Sequence, residues 1–297
     1  MFDALVIGGS YAGLSAAMQL ARARRRVCVV DAGAPRNRFA AASHGFFGQD
    51  GMAPLAMIAA AREKLLAYPT VSFIAGRVVG AAAEEGGGGF AVVLDEGQVL
   101  RASKLVLAFG LIDRLPELPG LRERWGSRVL HCPYCHGYEQ GGGPLGVLQV
   151  AAMSAHQALL IPDWGPTTFF LDGRNELDAA TRSKLQQRGV QIEPAPLVGF
   201  EDTGMRLADG RLLPLAALFV ATRTEMASPI AEQLGCAFDE GPFGPVIRCD
   251  AGKMSTVAGV YAAGDIARVP HNATFASADG VLAGASLHQA LVFGPSA

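Results

Sequence analysis

The sequence predicts an α/β fold that contains two βαβ units. The first thirty residues hold one unit, in which the apolar runs "FDALVIGG" and "RVCVVDAG" flank a helical stretch, "YAGLSAAMQLARAR". A glycine run and strand, "GGGPLGVLQV", open a similar unit near the middle of the chain. Strands that alternate with helices are typical of α/β proteins. The helical stretch places its apolar residues on one face: Leu14, Ala17, Met18 and Ala21.

The other predicted elements follow in order along the chain. A loop rich in Arg, Asn, His and Gly separates the first unit from the next helix, and a segment with two prolines at 113–120 is expected to link two domains. The predicted elements are a helix at 53–67, strands within 71–109 with a turn at 84–89, a strand at 104–110, a helix at 154–160, a strand at 167–173, a helix at 176–188, short β segments up to 223, a strand at 259–265 and a helix at 273–291.

Composition excludes several classes of protein. The 297 residues suggest two domains, at about 150 residues each. Half of them are hydrophobic and 18% are charged, which favours a sizeable core and argues against disorder. The net charge is −2, and the basic run at 22–26 is short, so we expect neither nucleic acid nor a membrane surface as a partner.

The N-terminus and the cysteines predict a cytoplasmic protein. The chain begins "MFDALVIGG", which is not a secretory signal, and no apolar run reaches the ~18 residues of a transmembrane helix. In a reducing compartment, five cysteines do not indicate a disulfide framework. We expect Cys28, Cys236 and Cys249 to be small residues that are buried or half-buried.

The first turn has the pattern of a dinucleotide site. In "VIGGSYAG", Gly8 permits a tight turn and Gly13 lets the helix pack against the strand. The helix N-terminus then presents N–H groups to a pyrophosphate, and Asp31 can accept hydrogen bonds from a ribose. Ser10 stands where the middle glycine is usual, but the adjacent Gly9 still allows close approach of the backbone.

The stretch "HCPYCHGYE" combines His131, Cys132, Cys135 and His136, which three chemistries can use. They are a redox dithiol, attachment of a c-type haem and a zinc site. Haem attachment normally requires export, for which the sequence has no signal. Four zinc ligands within six residues would be cramped, and no second Cys/His pair is present. The residues therefore favour the redox dithiol, and we expect no metal site.

These parts together resemble the low-molecular-weight thioredoxin reductase family over nearly the whole chain. The resemblance rests on the first turn, "LAFGLIDRLPELPG" at 107–120, the Cys-x-x-Cys pair, "GVYAAGDIA" from 259 and the Ala-rich final helix. It implies two Rossmann-like dinucleotide-binding domains, the second inserted into the first. The FAD-binding domain would comprise 1–113 and 244–297, and the inserted NAD(P)H-binding-like domain 114–243. Family members pair through their FAD domains, so a homodimer is expected.

The resemblance also implies roles for individual residues. Asp265 would hold the ribityl chain of FAD, and the positive N-terminus of the last helix would stabilise the negative charge of reduced flavin. Cys135 would exchange electrons with the flavin, and Cys132 would react with an external thiol or disulfide. The residues expected to bind the cofactor are Gly8, Gly9, Ser10, Gly13, Asp31, Asn37, Arg38, His44, Val78, Ala108, Gly110, Gly264, Asp265, Asn272, Ala273 and Thr274.

Proton transfer at the dithiol is assigned to His136. The commonest reductases have an acidic residue at this position, and a histidine can shuttle protons closer to neutral pH. His131 is either a second proton carrier or a strand-end residue satisfied by backbone. Tyr134 and Tyr138 are expected to serve as packing residues or as walls of a substrate groove.

The second βαβ unit departs from the reductases. Its turn reads "GVLQVAAMSAHQALL", with no glycine between Val147 and Leu160, and a backbone built for close approach to a pyrophosphate is missing. The next strand ends "FFLDGRNEL", in which Asp172 would repel a 2′-phosphate and only Arg174 would attract it. His156 is expected at a capping or core position. Use of NAD(P)H is therefore uncertain.

Three enzymatic hypotheses and one alternative remain open from the sequence. The chain can be a disulfide reductase with a divergent NAD(P)H site or a ferredoxin-linked reductase. It can also be a dithiol oxidase that passes electrons to O2; such oxidases resemble this chain in having His after the second Cys. The expected substrate is a thioredoxin-like protein or a small dithiol or disulfide. The non-enzymatic alternative is a flavin-binding sensor, against which the intact Cys-x-x-Cys pair argues.

Overall fold

A computed structural model describes residues 1–174 and 177–294, and the predicted α/β fold with two Rossmann-like sheets is confirmed. The helices are α1 (Tyr11–Arg22), α2 (Pro54–Leu66), α3 (Pro133–His136), α4 (Ala152–Leu160), α5 (Ala179–Gln187), α6 (Ile230–Gln233) and α7 (Ala273–Phe293). The strands are β1 (Phe2–Ile7), β2 (Val27–Asp31), β3 (Val71–Ala75), β4 (Val78–Ala83), β5 (Phe90–Leu94), β6 (Val99–Leu107), β7 (Leu111–Arg114), β8 (Val129–Leu130), β9 (Leu145–Leu148), β10 (Thr167–Phe170), β11 (Gln191–Glu193), β12 (Leu197–Glu201), β13 (Gly204–Leu207), β14 (Leu212–Pro214), β15 (Ala217–Val220), β16 (Arg223–Met226), β17 (Phe238–Glu240), β18 (Pro245–Ile247) and β19 (Val260–Ala262).

The chain divides into two compact units. Unit 1 contains the first glycine turn and unit 2 contains the Cys-x-x-Cys pair. Unit 1 comprises Met1–Arg38, Ala53–Ile112 and Glu225–Ala297, of which the last three residues lie outside the described part; unit 2 comprises Phe39–Met52 and Asp113–Thr224.

Unit 1 is built on a seven-stranded sheet in the order β3-β2-β1-β6-β5-β4, with β19 also paired to β6. Strands β3, β2, β1, β6 and β19 are parallel, and β1 and β2 are apolar runs that are buried on both faces of the sheet. The nine-residue β6 has a divided edge: its first half pairs antiparallel with β5 and its second half pairs parallel with β19.

Glycines bring helices α1 and α7 into close contact. A Cβ atom on Gly280 would lie 2.1 Å from the carbonyl oxygen of Ala12, and one on Gly284 would lie 2.6 Å from that of Ala16. Any larger residue at these positions would push the helices apart. This contact explains the small residues of the final helix.

Unit 2 is built on a five-stranded parallel sheet in the order β11-β10-β9-β15-β8. A three-stranded antiparallel sheet, β12-β13-β14, belongs to the same unit. Buried side chains of β9, β10 and β15 form the centre of its core.

Two segments lie in a different unit from the predicted one. The segment Phe39–Met52 belongs to unit 2, where a Cβ on Gly126 would lie 2.5 Å from the Cβ of Phe39. Residues 225–243 belong to unit 1, because Ile230 is buried in its core and Gln233 accepts a hydrogen bond from the N–H of Ala81. Neither contact leaves a pattern in the sequence.

The helices predicted at 53–67, 154–160 and 273–291 lie within two residues of α2, α4 and α7, whereas the strands predicted at 104–110, 167–173 and 259–265 extend three residues beyond the ends of β6, β10 and β19. Helix α5 begins at Ala179 rather than at 176, because the Asp178 carboxylate accepts hydrogen bonds from the N–H and hydroxyl of Thr181 and caps the helix. Glu176, the first residue of the predicted helix, lies outside the described residues. Across 1–174 and 177–294, no helix is long and apolar enough to cross a membrane.

Candidate functional site

The turn between β1 and α1 depends on two glycines. Gly8 has φ +110°, and a Cβ there would lie 2.2 Å from the carbonyl oxygen of Ala108. A Cβ on Gly13 would lie 1.8 Å from the carbonyl oxygen of Gly8. Ser10 makes no side-chain cap and the first turn of α1 has no acidic residue, so the start of this helix favours an anionic ligand.

Asp31, at the end of β2, is fixed by the same turn. Its Oδ1 accepts a hydrogen bond of 3.0 Å from the N–H of Gly9. The carboxylate also lines a cavity of about 260 Å³ beside the ends of β2 and β3, together with Phe73, Arg62 and Arg77. A carboxylate held by the turn and facing a cavity is the arrangement that ribose recognition requires.

The second acidic residue, Asp265, follows β19. The register pairs Leu107 with both Ile7 and Ala262, so the carboxyl ends of β1, β6 and β19 are aligned. Gly264 has φ +82°, and a Cβ there would lie 3.0 Å from that of Ala12. Asp265 Oδ2 accepts a hydrogen bond of 2.9 Å from Arg36 Nη1, and both side chains are less than one-fifth exposed.

Unit 1 therefore fits FAD. It combines a glycine cradle at the start of a helix with carboxylates at the ends of two parallel strands. The helix start offers hydrogen-bond donors to a pyrophosphate, and the carboxylates offer acceptors to the hydroxyl groups of a ribose and a ribityl chain. The start of α7 adds a further positive helix end, at which Asn272 Oδ1 accepts a hydrogen bond of 2.8 Å from the N–H of Thr274; Ala273 is the first residue of the helix.

Of the other residues predicted to bind the cofactor, all but His44 lie in unit 1. Asn37 donates to the hydroxyl of Tyr11, at the start of α1, at 3.1 Å, and Arg38 donates to the carbonyl oxygen of Pro35 at 3.0 Å. Val78 is buried in the core of unit 1, and Gly110, with φ +76°, follows β6. His44 lies in unit 2.

The Cys-x-x-Cys pair occupies a single helical turn after β8. Cys132 is the N-cap residue of α3, and a disulfide joins it to Cys135, with the Cα atoms 5.3 Å apart. The turn is packed closely from behind, since a Cβ on Gly137 would lie 2.7 Å from the ring of Trp164. The Tyr134 ring meets the same tryptophan edge-on at 5.4 Å between centroids.

His136 ends this turn and is half-buried. Burial lowers the pKa of its imidazole below 6.5; the carboxylate of Glu139 opposes this shift, and His44 adds to it. His136 is therefore neutral near neutral pH, the form that accepts a proton.

The neighbours of His136 differ in exposure. Tyr134 and Tyr138 are 72% and 87% exposed, which agrees with groove walls better than with core packing. The His131 ring lies 6.1 Å from the ring of Trp125, and its carbonyl oxygen accepts a hydrogen bond of 2.6 Å from the buried Gln157 of α4. His131 directly follows β8, at the strand end, and its role as a proton carrier stays a prediction.

The turn between β9 and α4 is closed by its own side chains. The hydroxyl of Ser154 accepts hydrogen bonds from the N–H groups of Val150 and Ala151, at 3.1 and 3.2 Å. Arg174 donates to the carbonyl oxygen of Gln149, and the Gln149 amide donates to that of Ala151 at 3.4 Å. Because the N–H groups of Val150 and Ala151 are bonded to Ser154, they are not free to bind a pyrophosphate.

Comparisons with known proteins agree with this geometry. The model of the pyridine nucleotide-disulphide oxidoreductase family matches residues 2–280. The chain belongs to this family. It is 31% identical to the thioredoxin reductase tcpT of Claviceps purpurea, over 95% of this chain and 92% of that one, and 32% identical to the thioredoxin reductase sirT of Leptosphaeria maculans, over 97% and 94%. A solved oxidoreductase from Agrobacterium tumefaciens is 48% identical with a TM-score of 0.95, over 98% and 99%.

The protein is thus an enzyme, a thioredoxin-reductase-like disulfide oxidoreductase. Family membership implies FAD and usually NAD(P)H. The three other cysteines of the oxidoreductase fit the expectation for them: Cys28 and Cys236 are buried and Cys249 is half-buried. Burial raises the pKa of Cys28 to about 11 and that of Cys249 to about 12. Within the described ranges, no group of His, Cys, Asp and Glu is arranged to hold a metal ion.

Sequence patterns missed three residues of the oxidoreductase and misplaced a fourth. Arg36 pairs with Asp265, Ser154 closes the second turn, and Gln157 holds the strand end before the dithiol. The sequence indicates the role of Ser154 only weakly. A polar residue at the third helical position can bond the backbone of the N-cap, but the N-cap here is alanine, so the usual capping pattern is incomplete. The prediction for His156 was wrong: this residue is exposed on α4 rather than at a cap or in the core, because Ser154, Gln157 and Ala158 form the buried face of that helix.

Proposed function

We propose that the enzyme is an FAD-dependent dithiol oxidase that uses the Cys132–Cys135 pair and passes two electrons to O2. The observation that carries this proposal is the closed β9–α4 turn. Since the electrons do not come from a nicotinamide at that turn, a thiol substrate is the remaining source that the dithiol itself can accept.

The closed turn opposes nicotinamide binding in two ways. A pyrophosphate would have to displace the Ser154 hydroxyl from two backbone N–H groups, and no glycine provides room for its oxygens. Beyond β10, the Asp172 carboxylate would lie where a phosphorylated ribose needs positive charge. Its Oδ1 is fixed by the N–H of Leu197 at 2.9 Å.

The proposed exchange proceeds in two steps at the disulfide. His136, in its neutral form, accepts the proton of a substrate thiol; the resulting thiolate attacks Sγ of Cys132, the Cys132–Cys135 bond breaks, and Cys135 leaves as a thiolate. The second thiol of the substrate then attacks the substrate sulfur of the mixed disulfide and releases Cys132. The substrate leaves as a disulfide, and its two electrons remain on the cysteine pair.

FAD, when bound, supplies a two-electron acceptor that returns the pair to the disulfide and delivers electrons and protons to O2 as hydrogen peroxide. The net change is one dithiol and one O2 converted to one disulfide and one H2O2. Gly8, Gly9, Ser10 and Gly13 would hold the pyrophosphate, and Asp31 and Asp265 the ribose and the ribityl chain. Asn37, Arg38, Val78, Ala108, Gly110 and residues 272–274 are the other proposed contacts.

The substrate class follows from the exposed surface at the dithiol. Tyr134, within the Cys-x-x-Cys turn, and Tyr138 present exposed rings beside the disulfide, which suits a small dithiol with apolar or aromatic groups. A thioredoxin-like protein is the alternative substrate. A homodimer that pairs through unit 1 and a cytoplasmic location remain predictions.

An anaerobic titration of the yellow holoenzyme tests the proposal. Stoichiometric NADPH or NADH is expected to leave the flavin absorbance unchanged, and dithiothreitol to bleach it, with colour and peroxide returning when air is admitted. Rapid bleaching by a nicotinamide would overturn the proposal in favour of a reductase, the second candidate, which the names of the fungal relatives support. Bleaching by dithiol without reoxidation in air would exclude O2 as the acceptor and leave a protein such as ferredoxin as the electron carrier.

The pH dependence of the reaction is expected to be set by His136. Because burial lowers the pKa of His136 below its usual value, the acidic limb of kcat/KM for dithiol oxidation should lie at a lower pH than an ordinary histidine would give. We expect His136→Asn to lose about 100-fold in kcat/KM near neutral pH and to lack this acidic limb. His156→Asn, at an exposed histidine of α4, is the control and should retain the wild-type profile. An unchanged acidic limb in His136→Asn would assign the limb to another group.

A further inference from the structure

The segment Phe39–Met52 brings a second histidine to the dithiol unit. The bridge between Ser43 and Met52 closes it into a loop, with hydrogen bonds of 2.8 and 2.9 Å that also include Gly51. His44 lies at the start of this loop and its side chain is 22% exposed. The resemblance assigns His44 to the cofactor, but its contacts belong to unit 2.

His44 lies between two carboxylates. Its Nε2 is 3.4 Å from Glu139 Oε1, and its Nδ1 is 3.6 Å from Asp50 Oδ1. Asp50 is fixed in turn by a hydrogen bond of 2.7 Å from the N–H of Gly45, which together with His44 holds the pKa of this carboxyl below its usual range. Glu139 lies only three residues after His136, so the loop contacts the catalytic turn directly.

Glu139 and His44, which belong to two different elements, act on His136 with opposite sign. Glu139 comes from the turn after α3 and favours the imidazolium of His136, and His44 comes from the loop and disfavours it. The reduced Cys132 and Cys135 would add negative charge from α3 itself, but the disulfide carries none.

We propose that His44 and Glu139 are positioning residues that set the protonation of His136 during thiol–disulfide exchange. The proposal rests on the proposed function, in which His136 accepts the substrate proton. His44 and Glu139 touch neither sulfur in this assignment and act through His136. Their effects on the pKa of His136 have opposite sign, so the loop adjusts the protonation of this histidine in addition to packing near it.

The test is a ¹³C NMR titration of the histidine rings in the oxidised holoenzyme, in which the disulfide is uncharged. In His44→Gln the midpoint of His136 should move to higher pH, because the side chain that disfavours its imidazolium is lost. In Glu139→Gln it should move to lower pH, because an attracting anion is lost. The acidic limb of kcat/KM should follow in the same opposite directions. His156→Gln, an exposed histidine of α4, is the matched control and should move neither quantity.

The outcomes separate this inference from its alternatives. Shifts of opposite sign support it, whereas an unchanged His136 midpoint in both variants, or shifts of the same sign, overturn it. A His44→Gln variant that loses FAD while His136 titrates as before also overturns it and returns His44 to the cofactor. The titration needs no turnover, so absence of oxidase activity would contradict the proposed function and leave this result standing. If His44→Gln does not fold, the exposed Glu139 still provides the test.

Discussion

Replacement of Cys135 by serine is expected to reduce dithiol turnover by about 10⁴-fold or more, because the disulfide that the substrate attacks can no longer form. Cys132 would remain as a thiol with no partner to resolve it. On addition of 5,5′-dithiobis(2-nitrobenzoate), this variant should accumulate a stable mixed disulfide at Cys132, seen as an added mass in the intact protein. Oxygen consumption with dithiothreitol measures the loss of turnover.

The complementary variant and a control locate the effect. Cys132→Ser should lose turnover equally and form far less mixed disulfide, since Cys135 is assigned to the flavin side of the exchange. Cys249→Ser should retain wild-type turnover, because burial raises the pKa of this thiol to about 12 and keeps it protonated. Wild-type turnover in Cys135→Ser would show that the pair is not the redox centre.

The second large effect is expected at Gly13. Its substitution by alanine places a Cβ 1.8 Å from the carbonyl oxygen of Gly8, so the start of α1 must move away from the turn that would hold the pyrophosphate. Overpacking of this kind costs about 1–3 kcal/mol, which corresponds to a loss of about 5–150-fold in FAD affinity if the displacement falls on the turn. Flavin fluorescence gives the Kd, and the FAD content of the purified protein gives a second measure.

Gly88 supplies the matched control for this substitution. It lies in the turn between β4 and β5 with φ −73°, and no heavy atom would lie within 4 Å of an added Cβ. Gly88→Ala should therefore bind FAD as the wild type does. Equal FAD affinity in Gly13→Ala and Gly88→Ala would mean that the glycine cradle does not hold the cofactor, and circular dichroism would show whether either variant has lost its helices.

The parts of the fold that the sequence predicted are those with local causes. Gly8 and Gly13 are required by one strand–turn–helix, whose apolar runs and spacing are visible in thirty residues. The alignment of Gly8 and Gly264 at one edge follows from the parallel register of β1, β6 and β19. The fold class and the position of the glycine turn could be predicted from the sequence for this reason.

Contacts between residues that are distant in the sequence could not be predicted. His44 and Glu139 are separated by 95 positions, and neither residue type in its own surroundings indicates the other. The closed β9–α4 turn was visible only as missing glycines, because the hydrogen bonds of Ser154 depend on the exact path of the backbone. Assignment of the loop to unit 2 required the packing of Phe39 against Gly126.

The divided edge of β6 has a consequence for biosynthesis. During translation, residues 105–107 would leave the ribosome long before Val260–Ala262. Until β19 is made, the backbone N–H and C=O groups on this side of residues 105–107 would be unpaired and would form an open sheet edge. The larger part of unit 2, residues 113–224, is synthesised in this interval, after the segment Phe39–Met52, so unit 2 can fold while unit 1 is still waiting for its last strand. Gly264 and Asp265 emerge last of the strand-end residues, so under the proposed function FAD loading would be a late event that coincides with closure of the sheet.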